Sequence, residues 1–255
     1  IPVLKEILGL SQTIKTHGRT MDNAANLAEP FIRQITERYA GTRLGRQELD
    51  AEILDDVPGA LWTREMFDRN RVSRSPVDFS RIVVAVDPSG SDGQSETADD
   101  IGIVGAGKGD DGKAYVLADR TMNGSPASWA RRAVELYHDI DADCIVAERN
   151  FGGAMVEHVI KTADKDVPVK LVTASRGKSV RAEPVAALYE QDRVKHVSGH
   201  RGWQNKFSPM EDECCQMTTD GYIGEKSPNR LDALVWAVSE LMLGSGYRYD
   251  LAKSL

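Results

Sequence analysis

Three carboxylates stand where a folded protein has little reason to put a charge. Asp87 closes the apolar run RIVVAVD at residues 81 to 87, Glu148 closes DCIVAE at 143 to 148, and Asp232 lies inside the helix-like SPNRLDALVWAVSELML at 227 to 243. The β-branched run before Asp87, bounded by Pro88 and Gly90, reads as a buried strand. Burying a lone carboxylate costs several kcal/mol unless a cation or hydrogen bonds compensate. Three such acids, far apart in sequence, supply the oxygen donors that a divalent cation takes. Two such ions, about 3.5 to 4 Å apart, activate a water and stabilise the leaving oxygen of a phosphodiester. The spacing therefore points to metal-dependent phosphodiester cleavage, with Asp87 bridging the ions and Glu148 and Asp232 each completing one. Asp99 or Asp100, opening the next strand, is a candidate outer ligand.

Each acid taken alone also has a purely structural reading. Asp-Pro-Ser-Gly after Val86 is ordinary turn chemistry. Glu148 could pair with Arg149, although strand neighbours point to opposite faces. Asp232 could complement the N-terminal dipole of its helix. Asn229 and Trp236, three residues before and four after Asp232, share its face. The three acids together favour the metal.

Other chemistries lack their residues. The one Gly-Lys-Ser, at Gly177, Lys178 and Ser179, has Val172 where a phosphate loop carries its leading glycine, and a two-lobed ATPase of the actin type does not fit in 255 residues. There is no Gly-x-Ser-x-Gly, and the five histidines show no metal spacing. Cys144, Cys214 and Cys215 form neither a disulfide framework nor a zinc motif. No apolar run approaches the roughly 18 residues of a membrane span, and no signal peptide is visible. Net charge is −7, unusual for a nucleic-acid binder. Residues 170 to 206 nevertheless concentrate Lys170, Arg176, Lys178, Arg181, Arg193, Lys195, Arg201 and Lys206 against Glu183, Glu190 and Asp192. That local excess can track a phosphate backbone.

Positioning the acids is the work of the surrounding elements. Residues 1 to 75 read as a mostly helical extension. It includes one helix capped by Asp22 or Asn23 and carrying Leu27, Phe31, Ile32 and Ile35, a second over GRQELDAEIL, and a linker over NRVSRSPVDFS. From residue 76 to 243 the pattern is strand-rich. The runs 101 to 107 and 113 to 121 flank a short turn and form an antiparallel hairpin. A helix opens at Ser125-Pro126, and another spans Gly153 to Ala163. VPVKLVTA and RVKHV are strands separated by a helix near 181 to 191, and Ser208, Pro209 and Glu211 spell a capping box. Residues 244 to 255 read as a tail. Three closely connected strands followed by alternating helix and strand suit an α/β ribonuclease H-like mixed sheet flanked by helices better than a fully parallel one.

The strings GTRLGRQELDAEILDDVPGALW, VVAVDPSGSDG, IVAERNFGGAMVEHVI, VTASRGKSVRAEPVAALYEQDRVKHV and MTTDGYIGEKSPNRLDALVWAV, in this order, resemble the large terminase subunit of tailed bacteriophages and prophages. The resemblance implies a C-terminal endonuclease domain with a ribonuclease H-like fold, preceded by the end of an ATPase region whose Walker motifs are not in this chain. It implies an acidic cluster of Asp87, Glu148 and Asp232 holding Mg2+ or Mn2+ to cut concatemeric double-stranded DNA. In some relatives a histidine stands where this chain has Asn229, which is then a candidate ligand. The implied partners are the ATPase domain, the small terminase subunit and the portal, in the cytoplasm of the infected host. Arg176, Lys178 and Arg181 are expected to contact DNA phosphates. A junction resolvase or a non-catalytic docking module of the packaging motor are the alternative readings of the same architecture.

Overall fold

The computed structural model describes residue 7 and residues 10–39, 49–51, 57–75, 77–88, 100–149, 153–174, 176–200 and 203–244, without the side chains of 37–39, 153–154 and 203–204. Two compact units run Ile1–Asp56 and Val57–Leu255.

In the first unit the single helix expected after Asp22 is two pieces, a 3-10 helix Thr20–Asn26 and helix α1, Glu29–Tyr39. Leu27 takes an extended conformation between them. Asp22 is held by the backbone and side chain of Arg19, so it ties down the shorter piece rather than starting the longer one. Most of GRQELDAEIL lies outside the described residues.

The second unit is built on a seven-stranded sheet of β1 (Arg71–Val72), β2 (Phe79–Asp87), β3 (Gly102–Gly109), β4 (Ala114–Asp119), β5 (Cys144–Glu148), β6 (Val169–Val172) and β7 (Val194–Val197), in the order β1-β7-β4-β3-β2-β5-β6. Only β3 runs antiparallel to its neighbours. This is the expected ribonuclease H-like mixed sheet. Helices α2 (Arg64–Arg69), α3 (Pro126–Asp139), α4 (Gly153–Ala163), α5 (Lys178–Glu190), α6 (Ser208–Cys215) and α7 (Asn229–Met242) complete it, with two small hairpins, β8–β9 (Gly199–His200, Trp203–Gln204) and β10–β11 (Met217–Thr218, Gly221–Tyr222). No helix among the described residues is long and apolar enough to cross a membrane.

Strand alternation sorts the core into two layers. Val84, Val86, Ile103, Ile145 and Ala147 pack with Trp129, Ala133 and Leu136 of α3 and with Val156 and Ile160 of α4. On the opposite face, Val83, Ala85, Ala106 and Val146 meet Ala237 and Leu241 of α7, beside a cluster built from α5, α6 and α7. Gly102 is what lets α7 approach so closely. A Cβ there would sit 1.9 Å from the backbone oxygen of Asn229, well inside van der Waals contact.

Residues 57–75, read from sequence with the helical extension, belong to the second unit and enter its core. Trp62 and Phe67 are fully buried, each edge-on to Tyr189 of α5. The supposed linker contributes β1, which adds to the sheet edge in parallel with β7. What holds it there is buried and polar. Arg71 donates to both carboxylate oxygens of Glu211 at 2.8 Å, and Nδ1 of His196 lies 2.9 Å from the same carboxylate. The Tyr189 hydroxyl is 2.7 Å from the other ring nitrogen. Burial holds the His196 pKa below its usual value. The neutral ring therefore donates from Nδ1 to Glu211 and accepts from Tyr189 at Nε2, the one tautomer that satisfies both. Glu211 thus serves β1 and β7 instead of the capping box expected with Ser208. Removing one partner of a buried pair costs about 3–5 kcal/mol because the other is left charged and unmatched. Glu211→Ala is expected to lower unfolding free energy by about that amount in a urea titration, against under ~1 kcal/mol if the pair were exposed. Gly102→Ala is expected to cost about 1–3 kcal/mol, as overpacking does, in the same measurement.

Candidate active site

The alternation that packs the core also aims the acids. Asp87 continues the face of Val83 and Ala85, and Glu148 that of Cys144 and Val146, which is the face covered by α7. In the ladder Asp87 pairs with Gly102, and the preceding Val86 with Ala147, so the two acid-bearing strand ends are adjacent. The bare Gly102 brings the first turn of α7 over them, with Asp232 in that turn. Asp87, Glu148 and Asp232 are 6%, 3% and 3% exposed. The three residues singled out from sequence are brought together on one side of the sheet.

Their charges are partly answered by neighbours. Lys178 Nζ donates to Asp232 Oδ2 at 2.5 Å and to Ser227 Oγ at 3.1 Å. The Arg181 guanidinium lies between two acids, 3.6 Å from Glu148 Oε2 and 3.5 Å from Asp232 Oδ1. Its Cζ sits 4.7 Å from the centre of the Trp236 ring, in cation–π contact, and Trp236 Nε1 donates to Glu148 Oε2 at 2.9 Å. Two cations face three acids. The remaining strain shows at Asp87, whose pKa is pushed well up, first by burial and then by the charges of Asp232 and Glu148, against the pull of Lys178. Burial also raises the Asp232 pKa, opposed by Lys178 and Arg181.

The donor chemistry, three carboxylates with a surplus negative charge in a buried pocket, fits a hard divalent cation. Lys178 and Arg181 offset that charge only in part. Among the described residues no three His, Cys, Asp or Glu groups stand ready to hold one ion, and Lys178, Arg181 and Trp236 engage oxygens of Asp232 and Glu148.

Asn229 and Asp100, the expected outer ligands, are joined to each other. Asn229 Nδ2 donates to the backbone oxygen of Asp100 at 2.7 Å, and the Asp100 carboxylate takes Arg230 at 3.2 Å. Arg230 also reaches Glu213 at 3.2 Å and Asp119 at 3.4 Å. This cluster anchors the start of α7 to the segment just before β3, to β4 and to α6, and burial raises the Glu213 pKa to about 7. Asp99 lies outside the described residues. Of the three cations expected to meet DNA, Arg176 is exposed, Lys178 half-exposed, and Arg181 buried to 13% side-chain exposure.

Sequence reasoning did not assign roles to Trp236, Ser227 or Arg230. Trp236 carried a usable signal, because its four-residue spacing from Asp232 puts it on the same helical face. Ser227 read as a helix opener, but α7 begins at Asn229, which leaves the hydroxyl to Lys178.

Residues 84–241 match the family model described as the terminase RNaseH-like domain. No curated protein sequence matches the chain. Among solved structures, the large terminase nuclease of the thermophilic phage G20c is 15% identical with a TM-score of 0.52, covering 71% of this chain and 98% of that one. The nuclease domain of the large terminase subunit gp2 of bacterial virus Sf6 is 13% identical at 0.51, covering 69% and 96%. The human cytomegalovirus terminase nuclease domain is 16% identical at 0.52, covering 70% and 93%. These likenesses share the fold. The family match spans more than half of the sequence and includes all three clustered acids, Asp87, Glu148 and Asp232, so the chain belongs to the terminase RNaseH-like domain family.

Proposed function

We propose that this chain is the divalent-metal-dependent endonuclease domain of a phage large terminase subunit. It cuts concatemeric double-stranded viral DNA at the start and end of genome packaging, in the host cytoplasm, with the ATPase domain, the small subunit and the portal as partners. The observation that carries the reading is the burial of Asp87, Glu148 and Asp232 on one face, at the meeting point of two strand ends and a helix. Asp87, Glu148 and Asp232 would hold the Mg2+ or Mn2+ ions. Such ions supply an activated water and neutralise charge on the leaving oxygen. Structures have been described of the cytomegalovirus domain soaked with manganese and of a point variant of the Sf6 domain with manganese and with calcium, which supports testing these ions here.

The protein's own contributions are positional and electrostatic. Trp236 fixes one oxygen of Glu148 and carries Arg181 on its ring, so the carboxylate is held in one rotamer. Arg176 and Lys178 give an acidic protein a local cationic path for a phosphate backbone, while the largely covered Arg181 steadies the acids. The Asp100, Asp119 and Glu213 pairs with Arg230 hold the helix that carries Asp232.

Plasmid nicking with Mg2+ or Mn2+ is expected from the wild type and absent from Asp87→Asn, and equal nicking by both defeats the assignment. The same variant separates function from stability. A carboxyl whose folded pKa is raised above its unfolded 3.8 stabilises the fold only while protonated, and that contribution is lost as pH rises through the folded pKa. In chelator, Asp87→Asn is therefore expected to melt at a higher temperature than wild type, by more at pH 8 than at pH 5. A lower melting temperature at both contradicts the charge-crowding account. Trp236→Phe keeps the ring but removes the donor to Glu148. It is expected to weaken Mn2+ binding or nicking about 10–100-fold, as loss of a ligand's hydrogen-bond partner does.

A further inference from the structure

Lys178 and Arg181 both answer the acids, but they are built differently. Arg181 is only 13% exposed at its side chain, stacked on Trp236 and shared between Glu148 and Asp232. Lys178 is 41% exposed, is the first residue of α5, and holds Asp232 by the tip of a flexible stem with Ser227 as its other partner. They also take different oxygens of Asp232, Arg181 facing Oδ1 and Lys178 bonding Oδ2. An ion that uses Asp232 through Oδ2 must therefore displace Lys178, and it can do so without taking the oxygen that Arg181 faces. A displaced ammonium, still next to the site and two residues from the exposed Arg176, can meet an oxyanion on a ligand.

We propose that Lys178 is an internal cation that occupies the metal position at Asp232 until a divalent ion displaces it, and that the released ammonium then binds a DNA phosphate. Metal loading and DNA binding thereby reinforce one another. The inference rests on the nuclease reading of this site and adds its regulation. With Lys178 on Asp232, the DNA-free protein holds metal weakly. Once metal frees Lys178, the chain gains a phosphate contact that it otherwise lacks. The coupling is reciprocal, so DNA tightens metal by the same factor as metal tightens DNA.

The test uses the whole chain and follows Lys178 directly. Its rate of modification by an amine-acetylating reagent is read by peptide mass spectrometry, with Ca2+ as the ion so that DNA stays uncut. Adding Ca2+ to the DNA-free protein is expected to raise the Lys178 rate at least about fivefold, within the usual range of coupling factors, and duplex DNA added with Ca2+ is expected to bring it down again. Asp232→Asn is expected to give the fast rate without metal. In parallel, electron paramagnetic resonance of free Mn2+ is expected to show tighter binding to Lys178→Met and Lys178→Gln than to wild type. If Mn2+ binds wild type but not Asp87→Asn, while the Lys178 rate ignores Ca2+, the displacement is overturned and the nuclease site stands. If Mn2+ binds wild type and Asp87→Asn alike, or neither, the site reading falls and this inference with it.

Discussion

The structure depends on the crowding of three buried carboxylates under the first turn of one helix. A fold seeking only stability would not place Asp87, Glu148 and Asp232 side by side in low dielectric, where burial and mutual repulsion raise the Asp87 pKa. Much of the nearby architecture can be understood as holding that arrangement together. Val83 and Ala85 set the face of Asp87, Gly102 admits the helix, and Arg230 clamps the helix start to Asp100, Asp119 and Glu213. Trp236 and Arg181 then hold the side chains in place.

The chain keeps this polar concentration separate from its mechanical support. The opposite layer, where α3 and α4 cover the sheet, is an apolar core of Val, Ile, Leu, Ala and Trp. The buried polar network of Arg71, Glu211, His196 and Tyr189 lies at the far edge with β1 and β7. It is charge-matched and tautomer-matched, a structural device in which every ionic group has its counterpart. The acid cluster has two cations for three carboxylates, and that imbalance distinguishes a site built to receive positive charge from one built to stay closed.

The central sheet and the acids were legible in the sequence because both depend on local pattern. Period-two apolar runs ending in Asp87 and Glu148 specify strand, face and rim at once, and the family strings lie over the same segments. The edge was not legible. β1 is only Arg71 and Val72, inside a stretch rich in Arg and Ser, and its pairing depends on Glu211, which is 140 residues away. Glu211 itself looked like a capping residue because capping is a local rule, whereas the His196 and Arg71 bonds that claim it are tertiary. Lys178 and Arg181 were read as DNA contacts from charge alone. Their spacing puts them on one helical face, but only the packing of α5 against α7 shows that this face meets Asp232. Asn229 and Asp100 were read as outer ligands, and in the structure Asn229 bonds the Asp100 backbone while the Asp100 carboxylate takes Arg230.

The most direct measurement is anomalous scattering from a crystal of this chain soaked in Mn2+. The account predicts metal peaks within coordination distance of Asp87, Glu148 and Asp232, with Lys178 Nζ moved off Asp232 and Arg181 still against Trp236. Manganese bound elsewhere, or none bound while Asp232 remains paired with Lys178, would contradict it.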